Sequence, residues 1–211
     1  LPELQDKSIS HTYKYGDVAP TLKIQTAKPQ RREGRFDAVV NSLLSLSDVA
    51  MSGTANVEIS IKSGSINELH LELPNNLNIL SLTAPSLRAQ KTEVEGEKQF
   101  VDIQFTQEME GQFRVELAFE KILSEKELET ITPNILVKGA DIQQGKLAVQ
   151  ALSAVEIQAS TVEQLSTLDP AELPQQLLLK TSNPILLAYS YVRSYPPYRL
   201  GLKMARHKEL D

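Results

Sequence analysis

Hydrophobic and polar residues alternate with a period of two along much of this sequence. The segments 55–62 and 66–74 alternate in this way, with the letters ANVEISIK and INELHLELP. This period is typical of β-strands that have one face in a core and the other in water. The letters KSGS between them have turn composition, so a hairpin is predicted. The segments 100–105 and 113–120 repeat the pattern around the polar stretch TQEMEGQ, and a second hairpin is predicted there.

Further strands are predicted in the second half of the chain. The stretch 134–152, NILVKGADIQQGKLAVQAL, predicts a strand, a turn near Gly145 and a second strand. The stretch 155–161, VEIQAST, continues the alternation. Counted over the whole chain, about a dozen short strands spaced by roughly 8–12 residues predict an all-β fold, a large antiparallel β-sandwich of two sheets.

The clearest helical punctuation of the sequence is in the letters STLDPAELPQQLLL. Asp169 is suited to cap a helix that begins with Pro170, and Pro174 limits how far that helix runs. We therefore predict one short helix near 169–174, followed by an extended run over 177–180.

The segment 36–52, with the letters FDAVVNSLLSLSDVAMS, permits two interpretations. A helix would place Phe36, Val40, Leu43 and Leu44 on one stripe. A strand would instead alternate apolar residues with polar ones, with Phe36, Ala38, Val40, Leu44 and Leu46 on the apolar side. Serine and β-branched residues are unfavourable inside a helix, so we favour the strand.

Composition narrows the class of protein. The chain has 211 residues, 41% hydrophobic and 23% charged, which suits one globular domain over 1–211, with 1–15 loosely held.

It begins LPELQD, without Met, so we expect a piece excised from a longer chain. The net charge of −5 argues against a nucleic-acid partner. No window has the ~20 apolar residues of a membrane span.

Residues suited to catalysis or metal binding do not form a pattern. Cysteine is absent, and the three histidines, His11, His70 and His207, have no metal-ligand spacing. Nucleophile-elbow, phosphate-loop and dinucleotide glycine motifs are missing. The alternating glutamates in TEVEGEKQ are interpreted as a solvated turn. We therefore predict no catalytic residue, no metal site and no cofactor, and a protein that is not an enzyme.

Four of the six tyrosines fall within ten positions, in the letters AYSYVRSYPPYRL at 188–200. Alternation places Tyr189, Tyr191 and Arg193 on one strand face with Leu187. The two prolines stop strand pairing, so the chain must turn or cross over there. A buried, structural role is favoured for the rings. The alternative is a partner or ligand surface formed by Tyr189, Tyr191, Arg193 and Tyr195, with Tyr195 the most exposed.

Three stretches together resemble a weakly characterised class of large bacterial envelope-associated proteins. They are INELHLELPNNLNILSLTAPSL, ILVKGADIQQGKLAVQA and YSYVRSYPPYRLGLKMARHKE, and the likeness spans roughly 36–208. The resemblance implies a supersandwich-like fold of the kind seen in mutarotase-like sugar-binding domains. It also implies a periplasmic or otherwise extracytoplasmic region of a longer, membrane-associated protein. It brings no known activity and therefore no functional residues.

Two functions follow as hypotheses. The first is a non-catalytic structural or protein-interaction module of the bacterial cell envelope, whose partner is another envelope protein. It predicts an exposed apolar or tyrosine patch without a polar cleft. The alternative is a carbohydrate-binding or sugar-processing domain that takes a polysaccharide. It predicts carboxylates, an arginine and a tyrosine in one groove, and the absence of tryptophan counts against it.

Overall fold

A computed structural model describes residues 34–124, 129–153, 155–193 and 196–206. Within these ranges the alternating segments form β-strands. The predicted looseness of 1–15 lies outside these ranges. The strands are β1 (Arg35–Leu46), β2 (Ala50–Ser63), β3 (Ile66–Pro74), β4 (Asn78–Thr83), β5 (Leu87–Glu95), β6 (Lys98–Met109), β7 (Gln112–Ile122), β8 (Glu129–Ile131), β9 (Leu136–Val137), β10 (Gln143–Ala151), β11 (Val155–Glu163), β12 (Ser166–Thr167), β13 (Ile185–Val192) and β14 (Arg199–Arg206). The all-β prediction is confirmed.

The strands form three sheets, where the sequence predicted two. A seven-stranded sheet has the order β12-β13-β10-β1-β2-β7-β4, a four-stranded sheet the order β5-β6-β3-β9, and a three-stranded sheet the order β11-β14-β8. Among the described strands, all pairs are antiparallel except β1 with β10. The buried side chains on one face of the seven-stranded sheet pack against those of both smaller sheets. Together they form a single hydrophobic core. The fold is therefore sandwich-like.

Both predicted hairpins are wrong, although their strands are correct. β2 belongs to the seven-stranded sheet and β3 to the four-stranded sheet, so the turn at 64–65 carries the chain from one sheet to the other. β6 and β7 are separated in the same way, across Gly111. At that corner the Ile61 amide donates a hydrogen bond to the Gly111 carbonyl at 2.8 Å. Alternation identifies a strand with one buried face, but it carries no information about the neighbouring strand.

The strand interpretation of 36–52 is confirmed, because this segment forms β1, a turn and the start of β2. β1 lies in the middle of the seven-stranded sheet, between β2 and β10. The run from Val40 to Leu44 is buried without interruption. Leu44 faces the main core, whereas Leu43 belongs to a second cluster on the opposite face. Coverage on both faces explains why the alternation is blurred here.

Two single helical turns cover that second face. A 3-10 turn spans Pro170–Glu172, and the Asp169 carboxylate caps it by accepting a hydrogen bond from the Ala171 amide at 2.8 Å. A helix, α1 (Gln175–Leu178), follows directly. The extended run predicted over 177–180 is therefore wrong, because Pro174 precedes a new helical turn instead of ending the helical segment. Leu173 and Leu177 pack on Leu43, Ala148 and Ala188 of the sheet.

The turn predicted near Gly145 is also misplaced. The turn lies at 138–139, where Gly139 has a φ of +81°, and Gly145 is inside β10. A Cβ at Gly145 would lie 1.8 Å from the Val40 carbonyl oxygen and 2.8 Å from the Tyr191 hydroxyl. This glycine therefore permits a close approach of chains and does not mark a turn.

Candidate functional site

A cleft of about 560 Å³ opens where the seven-stranded and four-stranded sheets meet. The ends of β10 and β13 form one side, and β3, β6 and β9 contribute the other. The charged and tyrosine residues of its wall are Glu72, Glu97, Lys98, Lys138, Tyr191, Arg193 and Tyr198. Apolar surface comes from Leu73, Pro74, Leu136 and Pro197. A concave surface with an apolar lining and a few convergent polar groups is the usual form of a binding site.

Glu72 is the electrostatic centre of the cleft wall. One of its carboxylate oxygens lies 2.6 Å from the Lys98 ammonium, and the other lies 3.3 Å from that of Lys138. The Glu72 side chain is only 13% exposed. Burial opposes its ionisation, but the hydrogen bonds and charges of the two lysines outweigh burial and lower the pKa of the carboxyl. Glu72 is therefore a carboxylate at neutral pH and a poor proton donor.

Strand register explains how these three residues meet. Glu72 occupies an outward position of β3, directly opposite Phe100 of β6 and Leu136 of β9. Lys98 is the first residue of β6, and Lys138 follows β9. The Lys138 amide continues the ladder by donating to the His70 carbonyl at 2.9 Å. The two lysines thus approach Glu72 from the neighbouring strands on either side.

Gln143 ties the two sheets together beneath the cleft. Its side chain is buried, and its amide nitrogen donates to the Ile135 carbonyl at 2.7 Å. Its side-chain oxygen accepts a hydrogen bond from the Val137 amide at 2.9 Å. A glutamine amide can bridge an acceptor and a donor in this way. The first residue of β10 is therefore bound to β9, which holds the cleft walls in place.

The rings of Tyr191 and Tyr198 contact each other in the wall of the cleft. Their ring centroids are 4.5 Å apart, with the planes tilted by 46°. The Tyr191 hydroxyl donates to the Val40 carbonyl at 3.2 Å, and the Tyr198 hydroxyl donates to the Pro133 carbonyl at 3.0 Å. Burial raises the pKa of Tyr191 to about 12 and that of Tyr198 well above its ordinary value. Both phenols are therefore neutral and already engaged.

Arg193 is the cationic residue of the tyrosine segment that lines the cleft. Its amide donates to the Gln143 carbonyl at 2.8 Å, which fixes the end of β13 at the cleft. The side chain is exposed and makes no ion pair with a residue of the described ranges. Together with Lys98 and Lys138, it gives the cleft three cations against two carboxylates. The excess of positive charge favours a ligand with an acidic group.

The structure answers part of the question raised by the tyrosine segment. Tyr189 and Tyr191 are 6% and 7% exposed, so neither presents an open ring face. Burial raises the pKa of Tyr189 as well. Tyr191 and Arg193 do meet at the cleft, whereas Tyr189 lies in the main core. Tyr195 lies outside the described ranges. A ligand surface formed by these four residues stays a prediction.

The chain crosses between sheets at the two prolines of the tyrosine segment. β13 belongs to the seven-stranded sheet and β14 to the three-stranded sheet, so the segment is a crossover and not a hairpin. The sequence left open whether the chain turns or crosses over at the prolines, and in the structure it crosses over. The crossover brings Pro197 and Tyr198 back to the cleft.

Sequence reasoning missed the charged side of the cleft. Glu72, Lys98 and Lys138 are far apart in sequence, and each occupies an ordinary polar position of a strand or turn. No motif links them. Only the pairing of β3 with both β6 and β9 brings them together, and a single sequence does not reveal this pairing.

Two polar features lie away from the charged side of the cleft. His70 is partly exposed, and its Nδ1 lies 2.6 Å from the Asp102 carboxylate of β6. Glu93 and Glu95 belong to strand β5 instead of a turn. Within the described ranges, no three histidine or acidic side chains are close enough to hold a metal ion. None of the helices described is long and apolar enough to cross a membrane.

No protein-family model matches this chain, and no curated protein is significantly similar to it. Similar solved structures exist at low identity. An M1 zinc metallopeptidase from Deinococcus radiodurans is 9% identical, with 83% of this chain and 44% of that chain covered and a TM-score of 0.44. Native yeast LTA4 hydrolase is 11% identical, with 88% and 32% covered and a TM-score of 0.46. This chain spans less than half the length of either protein. Likeness at this level carries no information about activity.

Proposed function

We propose that this chain is a non-catalytic interaction module that binds a peptide segment of a partner protein in the cleft beside the tyrosine segment. The observation that carries the proposal is the combination of apolar lining and cationic excess in the cleft, which replaces the exposed patch without a polar cleft that the sequence led us to expect. Leu136 and Pro197 offer surface to an apolar side chain, and Arg193 offers a charge to an acidic neighbour. Rigid sites reduce the entropic cost of binding.

The protonation states of the cleft suit binding better than catalysis. Glu72 is held ionised by Lys98 and Lys138, and both of its oxygens are occupied. The hydroxyls of Tyr191 and Tyr198 donate to backbone carbonyls. General acid–base catalysis requires a group whose pKa lies near the working pH, and these three groups have pKa values displaced away from neutrality.

The proposal includes a place in the bacterial cell envelope, as part of a longer, membrane-associated protein with another envelope protein as its partner. It rests on the resemblance of the three sequence stretches described above. Fractionation of cells that make the full parent protein, with detection in periplasmic and membrane fractions, tests the location. Recovery in the cytosolic fraction alone contradicts it.

Panning a phage-displayed peptide library on the immobilised chain tests the binding proposal. We expect the selected peptides to carry an acidic residue beside an apolar one. Arg193→Glu should lower the affinity for these peptides by about tenfold or more, since it replaces the attractive charge with a repulsive one. Lys203→Glu is the matched control, because Lys203 is exposed on β14 and does not line the cleft. Equal binding by wild type and both variants contradicts the proposal.

A carbohydrate ligand is the second candidate, and the composition of the cleft favours it. Glu72, Glu97, Arg193 and Tyr198 line one groove, which is the arrangement expected for a mutarotase-like sugar-binding domain. Sugars usually stack on an open aromatic face, and the two rings here pack against each other in a tilted arrangement instead. A glycan array probed with wild type and Arg193→Glu separates the candidates. Saccharide binding that depends on Arg193, without any selected peptide, favours the carbohydrate.

A further inference from the structure

β5 is a long and exposed edge strand. It is the outermost strand of the four-stranded sheet, and in the part of the chain that the structure describes it pairs with β6 alone. Eight of its nine residues are exposed, and Leu87 is half-buried. An edge of this kind presents a row of backbone amides and carbonyls that can pair with another strand.

The other sheet edges are shorter or irregular. β9 and β12 have two residues each, and β8 has three. β4 and β11 have register shifts, at 79–81 and 159–161. β5 has one shift at its start, between Leu87 and Ala89, and is regular from there to Glu95. Proteins usually protect edges with short length, bulges, proline or charged side chains. From Ala89 to Glu95, β5 has none of the first three, but it carries Lys91, Glu93 and Glu95, so a strand that pairs with it must match these charges.

The charges of β5 are complementary to those of a second β5 in one register. Lys91 and Glu93 lie two positions apart, so they point to the same face and form an ion pair within the strand. We propose that β5 pairs antiparallel with β5 of a second copy of this chain, about a two-fold axis at Thr92. In that register each Lys91 lies opposite Glu93 of the second copy, which gives two attractive cross-strand pairs.

The two neighbouring registers, in which the two-fold axis passes through Lys91 or Glu93 instead of Thr92, place like charges opposite each other. A shift of the axis to Lys91 places the two lysines opposite each other, and a shift to Glu93 does the same with the two glutamates. Like charges directly opposite each other destabilise strand pairing. The resulting dimer joins two four-stranded sheets into one continuous sheet and buries two open edges. This inference concerns an edge of the fold, so it does not depend on the ligand proposed for the cleft.

Cysteine cross-linking tests the register directly, because these 211 residues contain no cysteine. Thr92→Cys should form a disulfide-linked dimer under mild oxidation, since opposite residues in antiparallel strands are within the Cα separation that disulfides need. Val94→Cys alone should not, because Gln90 lies opposite it. A mixture of Val94→Cys and Gln90→Cys should form the mixed dimer. Dimers from Val94→Cys alone in equal yield, or no dimer from Thr92→Cys, overturn the register.

Sedimentation velocity over a concentration series tests the assembly and its charges. We expect the wild-type chain to dimerise, and Lys91→Glu or Glu93→Lys to weaken dimerisation by about tenfold. The double variant Lys91→Glu/Glu93→Lys should restore it, because the pairs are attractive again. These side chains are exposed, and far-UV circular dichroism checks that each variant is folded. A wild-type chain that stays monomeric throughout overturns the proposal.

Discussion

β1 and β5 are the two strands whose burial departs most from an alternation of buried and exposed residues. β1 departs by being buried on both faces and β5 by being exposed on both. β1 pairs with strands on both edges, and its five residues from Val40 to Leu44 are all buried. β5 pairs with β6 alone in the described ranges, and almost all of it is exposed. The contribution of a strand to stability therefore depends on what covers it more than on its own pattern.

The largest expected effect is at the centre of the seven-stranded sheet. In Gly145→Ala the new Cβ would meet the Val40 carbonyl oxygen at 1.8 Å and the Tyr191 hydroxyl at 2.8 Å. Because a backbone atom cannot move aside as a side chain can, we expect a loss of about 4 kcal/mol in the free energy of unfolding. Urea denaturation measures it.

Gly96→Ala, in the turn between β5 and β6, is the matched control. Gly96 has a φ of +60°, and no atom lies within 4 Å of an added Cβ. Only the left-handed backbone is unfavourable there, so a loss of about 1 kcal/mol is expected. Equal losses for the two variants would show that the close approach at Gly145 is unimportant.

Truncating one side chain in β1 and one in β5 compares how much the buried strand and the exposed strand contribute to stability. Leu44 is fully buried in β1, whereas Val94 of β5 is 65% exposed. Leu44→Ala should cost about 3 kcal/mol because it leaves a cavity. Val94→Ala should cost less than about 0.5 kcal/mol, as is usual for an exposed site. Thermal and urea unfolding supply both values, and a large effect of Val94→Ala would indicate that β5 is covered in solution.

Alkaline pH should selectively weaken the region of the buried tyrosines. Burial raises the pKa of Tyr191 to about 12, whereas a tyrosine of the unfolded chain has a pKa near 10. The neutral phenol therefore stabilises the fold fully below pH 10, and this contribution is lost as the pH rises to about 12. A loss of about 2 kcal/mol is expected for this group.

Tyr191→Phe isolates that contribution. The variant keeps the ring but has no ionisable hydroxyl, so its stability should fall less steeply between pH 10 and 12 than that of wild type. Its baseline stability should be lower by about 1 kcal/mol, because the hydrogen bond to the Val40 carbonyl is lost. Denaturation at a series of pH values gives both results. An unchanged slope contradicts the assignment.

Local sequence pattern predicted the strands but not how they pair. Alternation in 55–62 and 66–74 correctly identified one buried face for each strand. It could not show that these faces belong to different sheets, because a strand at a corner and a strand in a hairpin have the same period. Gly145 was misassigned for a similar reason, since glycine serves equally in turns and in close contacts. These are tertiary properties.

The candidate site was predicted in part, through Tyr191 and Arg193. Rings clustered beside prolines are visible in a sequence, and they drew attention to β13, whose end lines the cleft. Glu72 was not predicted, because a glutamate on the wet side of a strand has no distinctive signal. Its importance comes from Lys98 and Lys138, which reach it from two different neighbouring strands. Long-range register decides this contact.

The parallel ladder between β1 and β10 has a consequence for how the chain reaches its fold. Ala38 pairs with Gln143, so the ladder closes a loop of roughly one hundred residues. Loop closure of this length slows folding, because the entropy is lost before the contacts form. During synthesis β1 emerges long before β10 and α1, which cover one edge and one face of it. A newly made β1 therefore exposes apolar surface until the last third of the chain arrives, and we expect this interval to be the one most prone to aggregation.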